Sequence, residues 1–112
     1  MTFAIPVADG ALCMHFGHCQ QFVIIEADTE TRQVTSQQAL TPPAHAPGVL
    51  PRWLAEQGVK TVIAGGMGSR AQRLFADNGI TVVVGAPPKE PEKLVADYLA
   101  GQLATGQNVC DH

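Results

Sequence analysis

The pattern of apolar and polar positions divides the chain into a β-rich first half and a second half in which helices and strands alternate. Apolar side chains alternate with smaller ones over Thr2–Ala8 and predict a first strand. Pro6 lacks an amide hydrogen, so this strand is expected to be interrupted there or to be locally unpaired. An apolar run predicts a buried second strand over Gln21–Ala27, and the polar stretch Arg32–Ala39 predicts a third, exposed edge strand that completes a hairpin.

A proline-rich loop separates this hairpin from the second half. Apolar stripes at helical spacing predict helices over Val49–Gln57 and Ser69–Asn78, each followed by a glycine at the expected stop. Between and after them, the apolar runs Val59–Ala64 and Ile80–Gly85 predict strands that are buried on both faces. A proline in the first helical turn opens a last helix, predicted over 91–103.

The resulting order, βββαβαβα, predicts an α/β fold with a five-stranded mixed sheet and flanking helices. The chain of 112 residues is long enough for one hydrophobic core, so we expect a single domain over 1–104 and a short polar tail over 105–112. In such a sheet the loops that follow parallel strands meet at one edge, which brings together the loops at 9–19, 65–69 and 85–90.

Composition narrows the class of protein. A net charge of −3, with seven basic against ten acidic residues, gives no basic surface for nucleic acid. There is no apolar run long enough to span a membrane and no basic, apolar leader at the N-terminus. Three cysteines without an export signal predict a cytoplasmic protein with reduced thiols.

The loop after the first strand holds several potential metal ligands. Cys13, His15, His18 and Cys19 lie within seven residues, and Gly17 allows a tight bend between the histidines. Thiolate and imidazole together suit zinc, copper, iron or a metal–sulfur cluster. The spacing matches no zinc ribbon, and the alternative is that the cysteines are small buried apolar residues and the histidines pack at the base of the loop.

The loop Gly65–Ala71 joins a predicted buried strand to a helix and is rich in glycine. Glycines let the backbone approach a ligand, and a helix N-terminus offers N–H donors to an anion, with Arg70 and Arg73 adding positive charge. The alternative is an ordinary turn whose helix is capped by Ser69. A dinucleotide site is disfavoured because no acidic residue ends the next strand.

No catalytic arrangement is visible: the chain has no nucleophile with an evident base and no pair of loop carboxylates. We therefore expect binding rather than turnover, and not an enzyme. The tail Cys110-Asp111-His112 could fold back as a further ligand group or be disordered.

Several segments together resemble the dinitrogenase iron–molybdenum cofactor biosynthesis family, of the NifX type that also forms the C-terminal part of NifB. The resemblance covers residues 1–104 and is carried by the segments Ile5–Gly10, His15–His18, Phe22–Ile25 and Val62–Ala71. The combination of His-Phe-Gly in the first loop with Gly-Gly-Met-Gly at the helix start is its most specific part.

The resemblance implies a ribonuclease-H-like fold and the binding or carriage of an anionic metal–sulfur cofactor, of the Fe–Mo–S type or of the Mo–Cu–S type associated with the small orange proteins. It implies cluster donor and acceptor proteins as partners. The cofactor-binding residues that it carries over are His15, Phe16, Gly17, His18, Gly66, Met67, Gly68, Ser69 and Arg70. Cys13, Cys19 and the tail lie outside the matched pattern, and Met67 could equally be a core residue.

Two other functions compete with cluster carriage. The first is a mononuclear zinc or copper site made by Cys13, His15, His18 and Cys19. The second is a small nucleotide- or phosphate-binding module that uses the glycine-rich turn before Ser69.

Overall fold

The computed structural model describes residues 1–8, 10–13, 21–42 and 49–103. Its strands are β1 Thr2–Ala8, β2 Ala11–Leu12, β3 Gln21–Asp28, β4 Gln33–Leu40, β5 Thr61–Ile63 and β6 Thr81–Val83. Its helices are α1 Val49–Glu56, α2 Ser69–Asp77 and α3 Pro91–Leu99.

All strands belong to one mixed sheet with the order β4-β3-β1-β5-β6. β1 runs antiparallel to β3 and parallel to β5, which in turn runs parallel to β6. The predicted α/β class, the five main strands and their βββαβαβα order are therefore confirmed. The two-residue strand β2, which pairs with the end of β1, was not predicted and lies where we expected only loop.

Pro6 does not interrupt β1, and it follows the second of the two expectations, because its backbone groups point away from β3, the strand with which it pairs. The carbonyl of Pro6 accepts a hydrogen bond from the Cys13 amide over 2.8 Å, on the side of β1 away from β3. In an antiparallel ladder the N–H and C=O of one residue point the same way, so the missing N–H also lies on that side. Pairing with Phe22 of β3 consequently loses no donor.

Alternating side chains of β1 enter two cores on opposite faces of the sheet. Ala4 lies in the core shared with α1 and α2, which is centred on Leu54 and Phe75. Phe3 lies in the core shared with α3, where its ring meets Tyr98 edge to face at 5.4 Å between centroids. The sheet is thus covered on both faces by helices, as the sequence pattern predicted.

Each helix ends in a Schellman motif with glycine in the left-handed region, at Gly58, Gly79 and Gly101. α3 consequently stops at Leu99 rather than continuing to Leu103, because Gly101 has a φ of 72° and the amide of Gln102 donates to the Asp97 carbonyl over 2.8 Å. The predicted last helix was four residues too long.

The two outer strands differ in how well the sequence predicted them. β4 is exposed over Gln33–Ala39, which confirms the predicted polar edge. β6 was predicted to be buried on both faces, but Thr81 is exposed and Val82 and Val83 are only half-buried, because β6 forms the opposite edge of the sheet. Among the described residues, no helix has the length and apolar character needed to cross a bilayer.

Candidate functional site

The carboxyl ends of β1, β5 and β6 meet at one edge of the sheet, since the three strands are parallel. Two backbone hydrogen bonds join the segments that leave this edge. The amide of Gly85 donates to the carbonyl of Gly65 over 2.8 Å, and the amide of Leu12 donates to the carbonyl of Lys89 over 3.1 Å. The predicted convergence of the three loops is confirmed for their described parts.

The first loop leaves the edge through a hairpin. β2 folds back on β1 with Ala8 opposite Ala11, and Gly10 in the turn between them has a φ of 83°, a conformation that favours glycine. Cys13 follows β2 directly and is buried. The hairpin therefore fixes the point at which the His/Cys segment, residues 13–19, begins.

The glycine-rich turn between β5 and α2 becomes more exposed along its length. Gly66 and Met67 are buried, Gly68 is half-buried, and Ser69 and Arg70 are exposed. Met67 is fully buried in the core that includes Phe75, so its side chain supports the turn from below. The exposed part of the turn is the start of the helix.

The N-terminus of α2 has no side-chain cap. Its N-cap residue is Gly68, with φ −63° and ψ 153°, and the predicted capping role of Ser69 is wrong because Ser69 is already the first helical residue. No acidic residue lies in the first turn, and Arg70 is exposed there. Three features at this position favour an anion: the first-turn N–H groups, the positive end of the helix dipole and a guanidinium group.

Sequence reasoning missed Gln72. Its side-chain amide donates to the carbonyl of Met67 over 2.8 Å, and its backbone amide donates to the carbonyl of Gly68 over 3.1 Å. The same residue therefore ties the turn to the helix twice. The available signal was a polar residue at the fourth position of the predicted helix, a position that is half-buried in the structure.

Five predicted site residues lie outside the described part of the chain, as do the tail residues Cys110, Asp111 and His112. The five are His15, Phe16, Gly17, His18 and Cys19. Within residues 1–8, 10–13, 21–42 and 49–103, no three His, Cys, Asp or Glu side chains come together as a metal site. The described part of the candidate site is thus the start of α2 with the turn before it, and the ligand set of the His/Cys segment stays a prediction.

An α/β fold of this topology with a glycine-rich helix start at the parallel-strand edge occurs in proteins of many functions and does not by itself indicate a particular chemistry. Comparison with known proteins is more specific. Residues 1–101 match the model of the dinitrogenase iron–molybdenum cofactor family, and the chain belongs to that family.

Similar proteins cover most of this chain. It is 30% identical over 108 residues to MJ0580, an uncharacterized protein of Methanocaldococcus jannaschii, covering 92% of this chain and 89% of that protein. The crystal structure of PH0822 superposes with a TM-score of 0.85 at 27% identity, covering 96% of this chain and 98% of the other. The apo form of the orange protein from Desulfovibrio gigas has the same fold, with a TM-score of 0.72 at 21% identity and coverage of 96% and 93%.

Proposed function

We propose that this chain binds and carries an anionic metal–sulfur cofactor, of the Fe–Mo–S or Mo–Cu–S type, as an accessory protein that catalyses no bond change. The observation that carries the proposal is the N-terminus of α2. It opens at the sheet edge without a side-chain cap or first-turn acid, and Arg70 is exposed beside it. Membership of the iron–molybdenum cofactor family supports the choice of cargo.

The charge of the molecule favours this end of α2 as the place where an anion binds. The chain as a whole carries a net charge of −3, so an anion is repelled by most of its surface. Sulfide-rich clusters spread their negative charge over several soft atoms, which several N–H donors can contact at once. Gly68 helps here, since a Cβ built on it would meet no atom of the described residues within 4 Å.

The His/Cys segment supplies the second half of the proposed site. His15 and His18 are proposed to contact the cluster as metal ligands or N–H donors, with Cys13 and Cys19 as candidate thiolate ligands. Support comes from Cys13, which the β1–β2 hairpin holds at the same edge as the α2 N-terminus. Phe16 is proposed to line the cluster and Gly17 to provide the bend between the histidines.

A carrier must also release its cargo to an acceptor. Backbone amides, a guanidinium group and imidazoles hold a cluster with fewer strong metal–sulfur bonds than a cage of four thiolates. The proposed set of contacts therefore fits reversible binding, and cluster donor and acceptor proteins are its proposed partners.

The test is anaerobic purification followed by loading with tetrathiomolybdate, alone and with copper or iron salts. Visible charge-transfer bands with stoichiometric Mo and sulfide are expected in the wild-type protein, and the Fe or Cu content then identifies the cluster type. The double variant His15→Ala/His18→Ala is expected to lose loading, whereas Gln33→Ala/Gln37→Ala, at exposed positions of β4, serves as the control.

Three results would count against the proposal in different ways. A wild-type protein that takes up neither Mo nor sulfide under any of these conditions contradicts cluster carriage. Unchanged loading of the double variant excludes the histidines as direct contacts and leaves the helix N-terminus as the binding element. Stoichiometric zinc in protein purified without a cluster source points instead to a mononuclear Cys/His site.

A further inference from the structure

The open side of β6 carries unpaired backbone groups next to the candidate site. The amide of Thr81 donates to the carbonyl of Lys60 over 2.9 Å, and the carbonyl of Val83 accepts from the amide of Ala64 over 2.8 Å. Both bonds point toward β5. Because backbone groups alternate in direction along a strand, the amide and carbonyl of Val82 point to the open side of the sheet.

Val84 extends this open edge beyond the end of β6. The amide of Gly85 again points inward, to the carbonyl of Gly65 over 2.8 Å, so the alternation places Val84 outward like Val82. The side chains of Val82 and Val84 are half-buried and pack against the core shared with α1 and α2. An edge with outward amides and apolar neighbours is the kind of surface to which an extended peptide adds as a strand.

A hollow of about 670 Å³ lies between this edge and α2. It extends from Ser69, where α2 begins at the candidate site, to Gly79 just beyond the end of α2. A segment lying in it would therefore also reach the edge at which the cargo is proposed to bind. Between these two ends the hollow is lined by Gln72, Arg73, Ala76, Ile80, Thr81 and Val82.

The hollow has a positive character in an acidic protein. Arg73 is its one charged lining residue within the described part of the chain, and it is exposed. Arg70 lies one turn before it, and the described ion pair of the chain, Lys89 with Asp97, involves neither arginine. The acid of α2, Asp77, lies in the last turn and does not line the hollow.

We propose that the open edge at Val82 and Val84 and the adjoining hollow, together called the β6 groove, dock an extended acidic segment of a partner protein. The segment adds as a strand to the outward backbone groups and turns a carboxylate toward Arg73. This inference goes beyond cargo binding. It rests on the proposed function only in the purpose of the docking, which is to hold a cluster donor or acceptor protein beside the cluster.

A second copy of this chain fits the β6 groove less well. If β6 paired with β6 of a second copy, the two β6 grooves would lie side by side. Neither copy would then supply an acidic residue to the Arg73 of the other. Pairing with β4 of another copy brings Gln33–Leu40, which contains no charged residue, and leaves Arg73 without a counter-charge. Charge complementarity therefore favours a different, acidic chain.

The proposal is tested with a blocked octapeptide of alternating valine and glutamate, added to the full-length ¹⁵N-labelled protein, and with the matched valine–lysine peptide as control. The glutamate peptide is expected to shift the amide signals of Val82 and Val84 and to slow their hydrogen exchange at saturation. Arg73→Glu should weaken its affinity by about tenfold. Arg52→Glu, which reverses an exposed arginine of α1, should leave the affinity unchanged.

A further variant separates strand addition from simple charge attraction. Val82→Pro removes an outward N–H while leaving the donors to β5 in place, and it should abolish docking in a protein that still unfolds cooperatively. Should Val82→Pro fail to fold, slowed hydrogen exchange at Val82 and Val84 in the wild-type protein still distinguishes strand addition from charge attraction, because charge attraction alone does not protect these amides.

Several results would overturn the inference. No shift at Val82 and Val84 up to millimolar peptide excludes strand addition, and equal binding of the lysine peptide excludes an acidic partner. Shifts at the same residues on concentrating the protein alone would show that a second copy occupies the groove. Because docking is measured without cargo, a protein that binds the peptide but no tetrathiomolybdate contradicts only the proposed function, and the reverse result contradicts only the docking.

Discussion

The side-chain amide of Gln72 donates a hydrogen bond of 2.8 Å to the backbone carbonyl of Met67, five residues earlier in the chain. This bond spans the junction between the glycine-rich turn and α2. It links the carbonyl of Met67 to the first turn of α2, which starts at the sheet edge. The position of the candidate anion site therefore depends on a residue that does not itself face the anion.

Gln72→Met is expected to destabilise the protein by about 1 kcal/mol and to weaken anion binding, because it keeps the length of the side chain but removes the donor to Met67. Urea unfolding measures the first effect and tetrathiomolybdate titration the second. Gln57→Met, at an exposed position after α1, is the matched control. Amide signals of Gly68 and Ser69 that stay unchanged in Gln72→Met would contradict the positioning role.

Gly68→Asp should change stability and binding in opposite directions. The backbone of Gly68 already has N-cap geometry, and there is space for a side chain, so the aspartate can cap α2 and add a few tenths to about 1 kcal/mol of stability. The same carboxylate would occupy the donors that an anion needs and would repel it. A more stable variant that binds tetrathiomolybdate as well as wild type would show that the anion binds elsewhere.

Arg70→Glu should weaken tetrathiomolybdate binding severalfold at low salt, while unfolding stability changes by less than about 0.5 kcal/mol, since the side chain is exposed. The difference between variant and wild type should shrink as salt is raised, because screening removes the contribution of an exposed charge. Arg52→Glu reverses a charge elsewhere and controls for net charge. Equal affinities for the two variants would argue that net charge, rather than Arg70, matters.

Met67→Ala should destabilise the protein by about 2–5 kcal/mol, because the side chain is fully buried and its removal leaves a cavity. Met67→Leu, which conserves volume, should cost less than about 1.5 kcal/mol. If Met67 supports the glycine-rich turn from the core and does not line the cluster site, the leucine variant should load cargo like wild type. A leucine variant that keeps its stability but loses loading would instead assign Met67 a direct contact with the cluster.

The sequence predicted those features that depend on local chemistry. The alternation in β1 and the glycines after α1 and α2 identified these elements almost to the residue, because backbone conformation and side-chain alternation are short-range properties. Gly101 carries the same local signal, but the prediction followed the apolar pattern to Leu103 and did not use it. The helix ends there nevertheless, and Leu103 still packs on the core without being helical.

Other features depend on which segments become neighbours, and the sequence pattern does not contain that information. β6 has the apolar run of a central strand, and it is an edge because no further strand follows it in the sheet order. β2 is too short to show alternation and exists through its pairing with Val7 and Ala8. Ser69 has the composition of a cap, but the helix begins one residue too early for it to serve as one.

The Schellman motifs at Gly58, Gly79 and Gly101 divide the molecule into two poles. At the pole where the helices end, their last carbonyls are closed off by the chain's own backbone. At the opposite pole α2 starts without a side-chain cap, whereas α3 begins with Pro91, which has no amide hydrogen, and the amide of Lys93 already donates to the Glu90 carbonyl over 3.1 Å. A fluorescent probe or an inserted segment is therefore best placed in the turn at Gly58, because labelling there would report on the protein without obstructing either the proposed cargo site or the β6 groove, which Gly79 lines.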